Sequence, residues 1–133
     1  MDREARETVG HAFTAFNRRD LPALIAACDA EIDWIPMRAS VAGAGYRGHE
    51  GVARALADVQ REFEELQIDP RHWTELGGRI VVSGRFVAKE RATGLRMDSP
   101  GAWMCELRDG LVARLEAFPS EEAALAAARA RRD

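Results

Sequence analysis

The sequence predicts an α+β fold: a curved antiparallel sheet, built as a meander and shaped as a cone. Three helices from the N-terminal half close it, and a further helix follows at the C-terminal end. Helical spacing of apolar residues is confined to the first half and to the C-terminal end. Three turn signals, Gly77-Gly78, Thr93-Gly94 and Asp109-Gly110, divide the second half into strand-length pieces. No internal repeat and no linker interrupts the chain, so residues 1–133 read as a single domain.

Each element has a local reason. Val9, Ala12, Phe13 and Phe16 recur at helical spacing until "NRRD" breaks the pattern. Asp20 is placed to cap a second helix, and Pro22 falls in its first turn, where a missing N–H costs little. Leu21, Leu24, Ile25 and Cys28 form its apolar stripe. "EIDWIP" (31–36) is short, rich in β-branched and aromatic residues, and stops at proline, which reads as a strand. Residues 38–48 hold three glycines without a period and read as a loop, with Tyr46 in a short strand. Val52, Ala55, Leu56, Val59, Phe63 and Leu66 then predict a long amphipathic helix.

The four strands of the second half span 67–76, 79–91, 95–108 and 111–118. Proline in "SPG" (99–101) removes a ladder donor and predicts a bulge. Strand 80–87, "IVVSGRFV", is apolar on both faces, so both sides of the sheet need cover. Ser120 caps the last helix, with Glu121 and Glu122 in its first turn.

Composition excludes several functions. The net charge is -3, so no basic field is available for nucleic acid or an anionic membrane surface. No apolar run approaches the roughly 18 residues that span a bilayer. Cys28 and Cys105 each lie in an apolar stretch and read as reduced, buried thiols, and the charged start does not read as a signal peptide. A cytoplasmic location is therefore expected. His11, His49 and His72 lack metal-ligand spacing, and the glycines follow no phosphate-loop pattern. Neither a metal nor a cofactor is expected.

Three stretches, "AFNRRDLPALIAACDAEIDWIP", "YRGHEGVARAL" and "MCELRDGLVARLEAFPS", resemble the nuclear transport factor 2-like superfamily in its SnoaL-like branch. The resemblance covers nearly the whole chain. It implies a cone that opens toward the helices and cones that pair sheet to sheet, so a homodimer is expected. Family activities include polyketide cyclisation, ketosteroid isomerisation, epoxide hydrolysis and plain binding, and one fold hosts them all. A ketosteroid isomerase would need its catalytic groups near Ala12, Ile35 and Trp103, and none is present. In a limonene-type epoxide hydrolase the final-strand acid falls on Glu116 and the arginine on Arg85, but the second acid falls on Val87.

The expected site follows. Alternation puts Val112, Arg114, Glu116 and Phe118 on one strand face, and Arg85 shares parity with Val81, Ser83 and Val87. If these face the cone, Glu116 and Arg85 form a polar, catalytic end, with Arg114 able to anchor a ligand carboxylate or carbonyl. Phe16, Trp34, Tyr46, Leu56, Phe63, Ser83, Trp103 and Phe118 would line the rest against a small hydrophobic molecule. Asp33 competes with Trp34 for the inward direction.

Overall fold

A computed structural model describes residues 3–37 and 45–130. Helices α1 (Arg3–Arg18) and α2 (Leu21–Ala26) lead into strand β1 (Cys28–Ile35). Strand β2 (Tyr46–Arg47) and helix α3 (Gly48–Glu62) follow. The meander is β3 (Phe63–Leu76), β4 (Arg79–Glu90), β5 (Arg96–Arg108) and β6 (Leu111–Phe118), and α4 (Glu121–Ala130) ends it. The six strands form one sheet in the order β2-β1-β6-β5-β4-β3. All neighbours are antiparallel except β1 and β6, which run parallel. This is the α+β, meander-based cone that the sequence predicts.

The sheet separates two cores. On the concave side α1, α2 and α3 press Val9, Phe13, Phe16, Leu24, Val52 and Leu56 onto Ile32, Trp34, Ile80, Val82, Trp103 and Leu115. On the convex side α4 lays Ala124 and Ala128 over Val81, Ala102 and Met104. The two-faced apolar strand is thus accounted for within one chain, because α4 supplies its second cover. No helix among the described residues is long and apolar enough to cross a membrane.

The caps form as predicted. Asp20 Oδ1 accepts from the Ala23 N–H at 3.2 Å, and Ser120 Oγ accepts from the Ala123 N–H at 3.1 Å. Arg19 closes α1 in the left-handed region, at φ 57°, a conformation unusual for a side-chain-bearing residue. Its guanidinium donates to the Phe16 carbonyl at 2.6 Å and to the Leu66 carbonyl at 2.7 Å, tying the helix end to β3. Beside it, the Asn17 side chain donates to the Ile68 carbonyl at 2.8 Å and accepts from the Ile68 N–H at 2.9 Å. These contacts fix α1 over the edge of the sheet.

Several boundaries differ from expectation. α3 stops at Glu62, and Phe63 and Leu66 belong to β3 instead. The long β4 explains this, since Phe63 pairs with Glu90 at its far end and Leu66 with Ala88. Cys28 opens β1 rather than lying on α2. No bulge occurs at Pro100, whose pairing with Arg85 continues an unbroken register. β6 ends its pairing at Ala102, so Pro100 lies on an open margin where its missing donor is tolerated. The shifts fall elsewhere, between Cys28 and Asp33 of β1, between Phe63 and Glu65 and between Pro70 and His72 of β3, and at Ala113 of β6. Gly84 sits against the β3 irregularity, where a Cβ would stand 1.9 Å from the Asp69 carbonyl oxygen, so only glycine fits. Residues 38–44 of the expected loop lie outside the described residues.

Candidate functional site

The sheet register divides the expected site into two groups on opposite faces. One row crosses the sheet as Tyr46, Trp34, Leu115, Cys105 and Ile80. Its members belong to or pack against the concave core. The adjacent row runs Arg47, Asp33, Arg114, Glu106 and Arg79 and faces the other way. Glu116 shares its row with Met104 and Val81, under α4. Ser83 and Phe118 lie in the next row with Ala102.

The expected polar end of the cone is therefore corrected. Arg85, Arg114, Glu116, Ser83 and Phe118 occupy the convex face. Arg85 and Glu116 do not meet: two strand spacings, across β5, and four residues separate their positions, on the order of 15 Å by strand spacing. Arg85 instead holds the Asp98 carboxylate at 2.8 Å at an exposed position. Ser83 Oγ donates to Glu121 at 2.7 Å and pins the start of α4. The physical reason lies in alternation. Both faces of β4 and β5 are apolar, so parity groups the residues without telling which group is inside. In β6 the extra residue Ala113 also moves Val112 to the concave side.

The convex row is a ladder of alternating charge. Arg79 Nε donates to Glu106 at 3.0 Å, and Arg114 lies 2.9 Å from Glu116 and 3.8 Å from Asp33. Asp33 in turn stands 3.3 Å from Arg47, so it lies on the outer face and Trp34 on the inner. Arg114 and Glu116 side chains are only 18% and 15% exposed, yet each has an opposite charge beside it. Nε of Arg114 is buried without a hydrogen-bond partner. This arrangement neutralises charge under cover, joins strands and, through Arg79 donating to the Ala128 carbonyl at 3.4 Å, meets α4; it does not face α1, α2 or α3.

The concave group consists of Phe16, Trp34, Tyr46, Leu56, Phe63 and Trp103. Phe16 and Trp34 rings lie 5.8 Å apart, and Phe13 meets Trp103 edge-on at 5.6 Å. Phe63 meets Phe86 edge-on at 6.5 Å. Phe86 and Met97 complete the half-buried rim with Tyr46, Val59 and Phe63. Neither was expected from sequence, although Phe86 shares the parity of Ile80 and Val82. The concave positions of β4 and β5 (Ile80, Val82, Gly84, Phe86 and Ala88; Met97, Ser99, Gly101, Trp103, Cys105 and Leu107) carry no acid or base that titrates near neutrality. Burial pushes the Cys28 and Cys105 thiols up to about 12, with Cys28 adding to the rise at Cys105, so neither is a nucleophile at neutral pH.

Polar chemistry enters at one end. The Tyr46 hydroxyl donates to the Asp58 carboxylate, which Arg61 also holds. The hydrogen bond from Tyr46, supported by Arg61, keeps the Asp58 carboxyl below the ordinary carboxylate range. Elsewhere, a cavity of about 220 Å³ opens between α1 and the two hairpin turns, lined by Glu4, Thr8, Glu75, Ile80 and Leu107 among others. Pockets for drug-sized ligands usually run to about 300 Å³ or more, so this one suits something smaller. Among the described residues no group of His, Cys, Asp and Glu could hold a metal ion.

The profile of the SnoaL-like domain matches residues 9–115. The chain belongs to the SnoaL-like family. Its solved relatives share the nuclear transport factor 2-like fold. One, an NTF2-like protein of unknown function from Burkholderia pseudomallei, is 24% identical with a TM-score of 0.79, over 95% of this chain and 97% of that one. TerC, crystallised with polyporic acid, is 21% identical with a TM-score of 0.77, over 96% and 99% of the two chains. A protein of ketosteroid isomerase-like fold from Catenulispora acidiphila, in complex with trimethylamine, is 16% identical with a TM-score of 0.75, over 90% of each chain. No curated protein matches the chain.

Proposed function

We infer that this SnoaL-like chain binds a small, flat, apolar molecule on the concave side of its sheet. The observation that carries this reading is the rim of half-buried apolar side chains, Tyr46, Val59, Phe63, Phe86 and Met97, set on a buried aromatic floor. Apolar groups left half-covered around a concavity gain free energy from a ligand that covers them. TerC, of the same fold, was crystallised with polyporic acid, which supports a ligand of this kind. Binding is favoured over catalysis because the concave rows of β4 and β5 supply no pair of groups with separate acid and base roles. The ion-paired convex charges are assigned to holding strands and α4 together. Assembly into dimers needs no part in this reading.

A thermal-shift screen with flat aromatic acids, ketones and phenols tests it. Ligands that raise the melting temperature should lose that effect in Phe86→Glu and keep it in Glu116→Gln. Loss in Glu116→Gln with retention in Phe86→Glu would move the site to the convex face and overturn the assignment.

A further inference from the structure

Tyr46 is the only tyrosine of the chain, and it stands at the concave rim. Its position is tightly set. Its backbone pairs with Trp34 across β1, and its side chain runs against α3 at Gly51, where a Cβ would come within 3.1 Å of the Tyr46 Cβ. From there the ring reaches one face of α3, and the hydroxyl meets Asp58. Arg61 engages the same carboxylate from the next turn of the helix.

This chain of contacts fixes a direction. A phenol has one proton, and a carboxylate paired with a guanidinium has none to give. Tyr46 must therefore donate to Asp58. Its own proton is committed, so toward anything entering the concavity the oxygen serves only as an acceptor. Val59, Phe63, Phe86 and Met97, the other rim residues, offer no side-chain hydrogen-bond donor.

We propose that Tyr46, oriented by Asp58 and Arg61, selects ligands that carry a hydrogen-bond donor, a phenolic or enolic hydroxyl or an amide N–H, on an apolar body. Matched ethers and ketones, which offer only acceptors, place an oxygen against an oxygen and are disfavoured. This rests on the concave face being the ligand site. Asp58 acts here as a positioning residue, because it sets the hydroxyl rather than touching the ligand.

The test compares 2-naphthol with 2-methoxynaphthalene by calorimetric titration and takes the ratio of their Kd values. The ratio should favour naphthol in the native protein and fall by roughly fivefold or more in Tyr46→Phe, the size expected for one hydrogen bond. Asp58→Asn frees the hydroxyl to turn and should lower the ratio as well, so it carries the test should Tyr46→Phe fold poorly. Arg85→Ala, on the far face, should leave the ratio unchanged. Binding of both compounds with the native ratio kept in both Tyr46→Phe and Asp58→Asn overturns the selection alone. Binding of neither overturns the concave site and the selection with it.

Discussion

The two faces of one sheet solve opposite problems with the same strands. The concave face is almost wholly apolar and aromatic, with Trp34, Trp103 and Ile80 sealed by three helices. The convex face carries a ladder of arginines and carboxylates on one part and a thin alanine helix on the other. Charges in a core strand are therefore not in themselves the mark of a pocket. Here the charges of β6 sit on the face opposite α1, α2 and α3, where each cation neighbours an anion.

The comparison predicts a gradient of effects. Trp103→Ala should be the most damaging change: it empties a site 4% exposed and removes the edge contact with Phe13, at a cost of about 3–5 kcal/mol. Urea unfolding measures it, and a loss below about 1 kcal/mol would mean that the concave floor is not close-packed. On the convex face Arg114→Ala leaves Glu116 and Asp33 without their shared cation. A loss of about 2 kcal/mol is expected there, against about 0.5 kcal/mol or less for Arg85→Ala, whose Asp98 partner is well exposed. Equal losses for the two arginines would erase the distinction between a covered ladder and surface pairs.

The smallest effect is in pH. Asp58 has its carboxyl held below the ordinary value by Tyr46 and then Arg61, so its contribution is stabilising when ionised. That contribution is complete above the unfolded carboxylate value and is lost as pH falls through the lower, folded one. The melting temperature of the native protein should exceed that of Asp58→Asn above about pH 5, and the gap should close below about pH 4. A gap that persists at acid pH would mean that Asp58 is not held ionised by these partners.

Much of the fold is legible in the sequence because its punctuation is local. Asp109 and Gly110 take positive φ at 53° and 79°, a turn that the dipeptide announces. Asp20 and Ser120 cap helices for reasons contained within four residues. The end of α3 was not legible, because Phe63 and Leu66 happen to continue the helical spacing while β3 claims them through pairing with residues far along the chain. The concave placement of Phe16, Trp34, Tyr46 and Trp103 was legible. The charged side was not, since alternation names two faces and only the packing of α4 decides which is outside. Phe86 and Met97 went unread for the same reason. Their exposure depends on which helices reach them, and no residue near them states it.

Asn17 has a consequence of another kind. β3 is the free margin of the sheet, and one side-chain amide occupies both the N–H and the C=O of Ile68 there. An amide used this way mimics the next strand and leaves that stretch of backbone nothing to offer a stranger. A margin plugged in this way is a poor template for another strand, a property that turnover assays and ligand titrations alike would overlook.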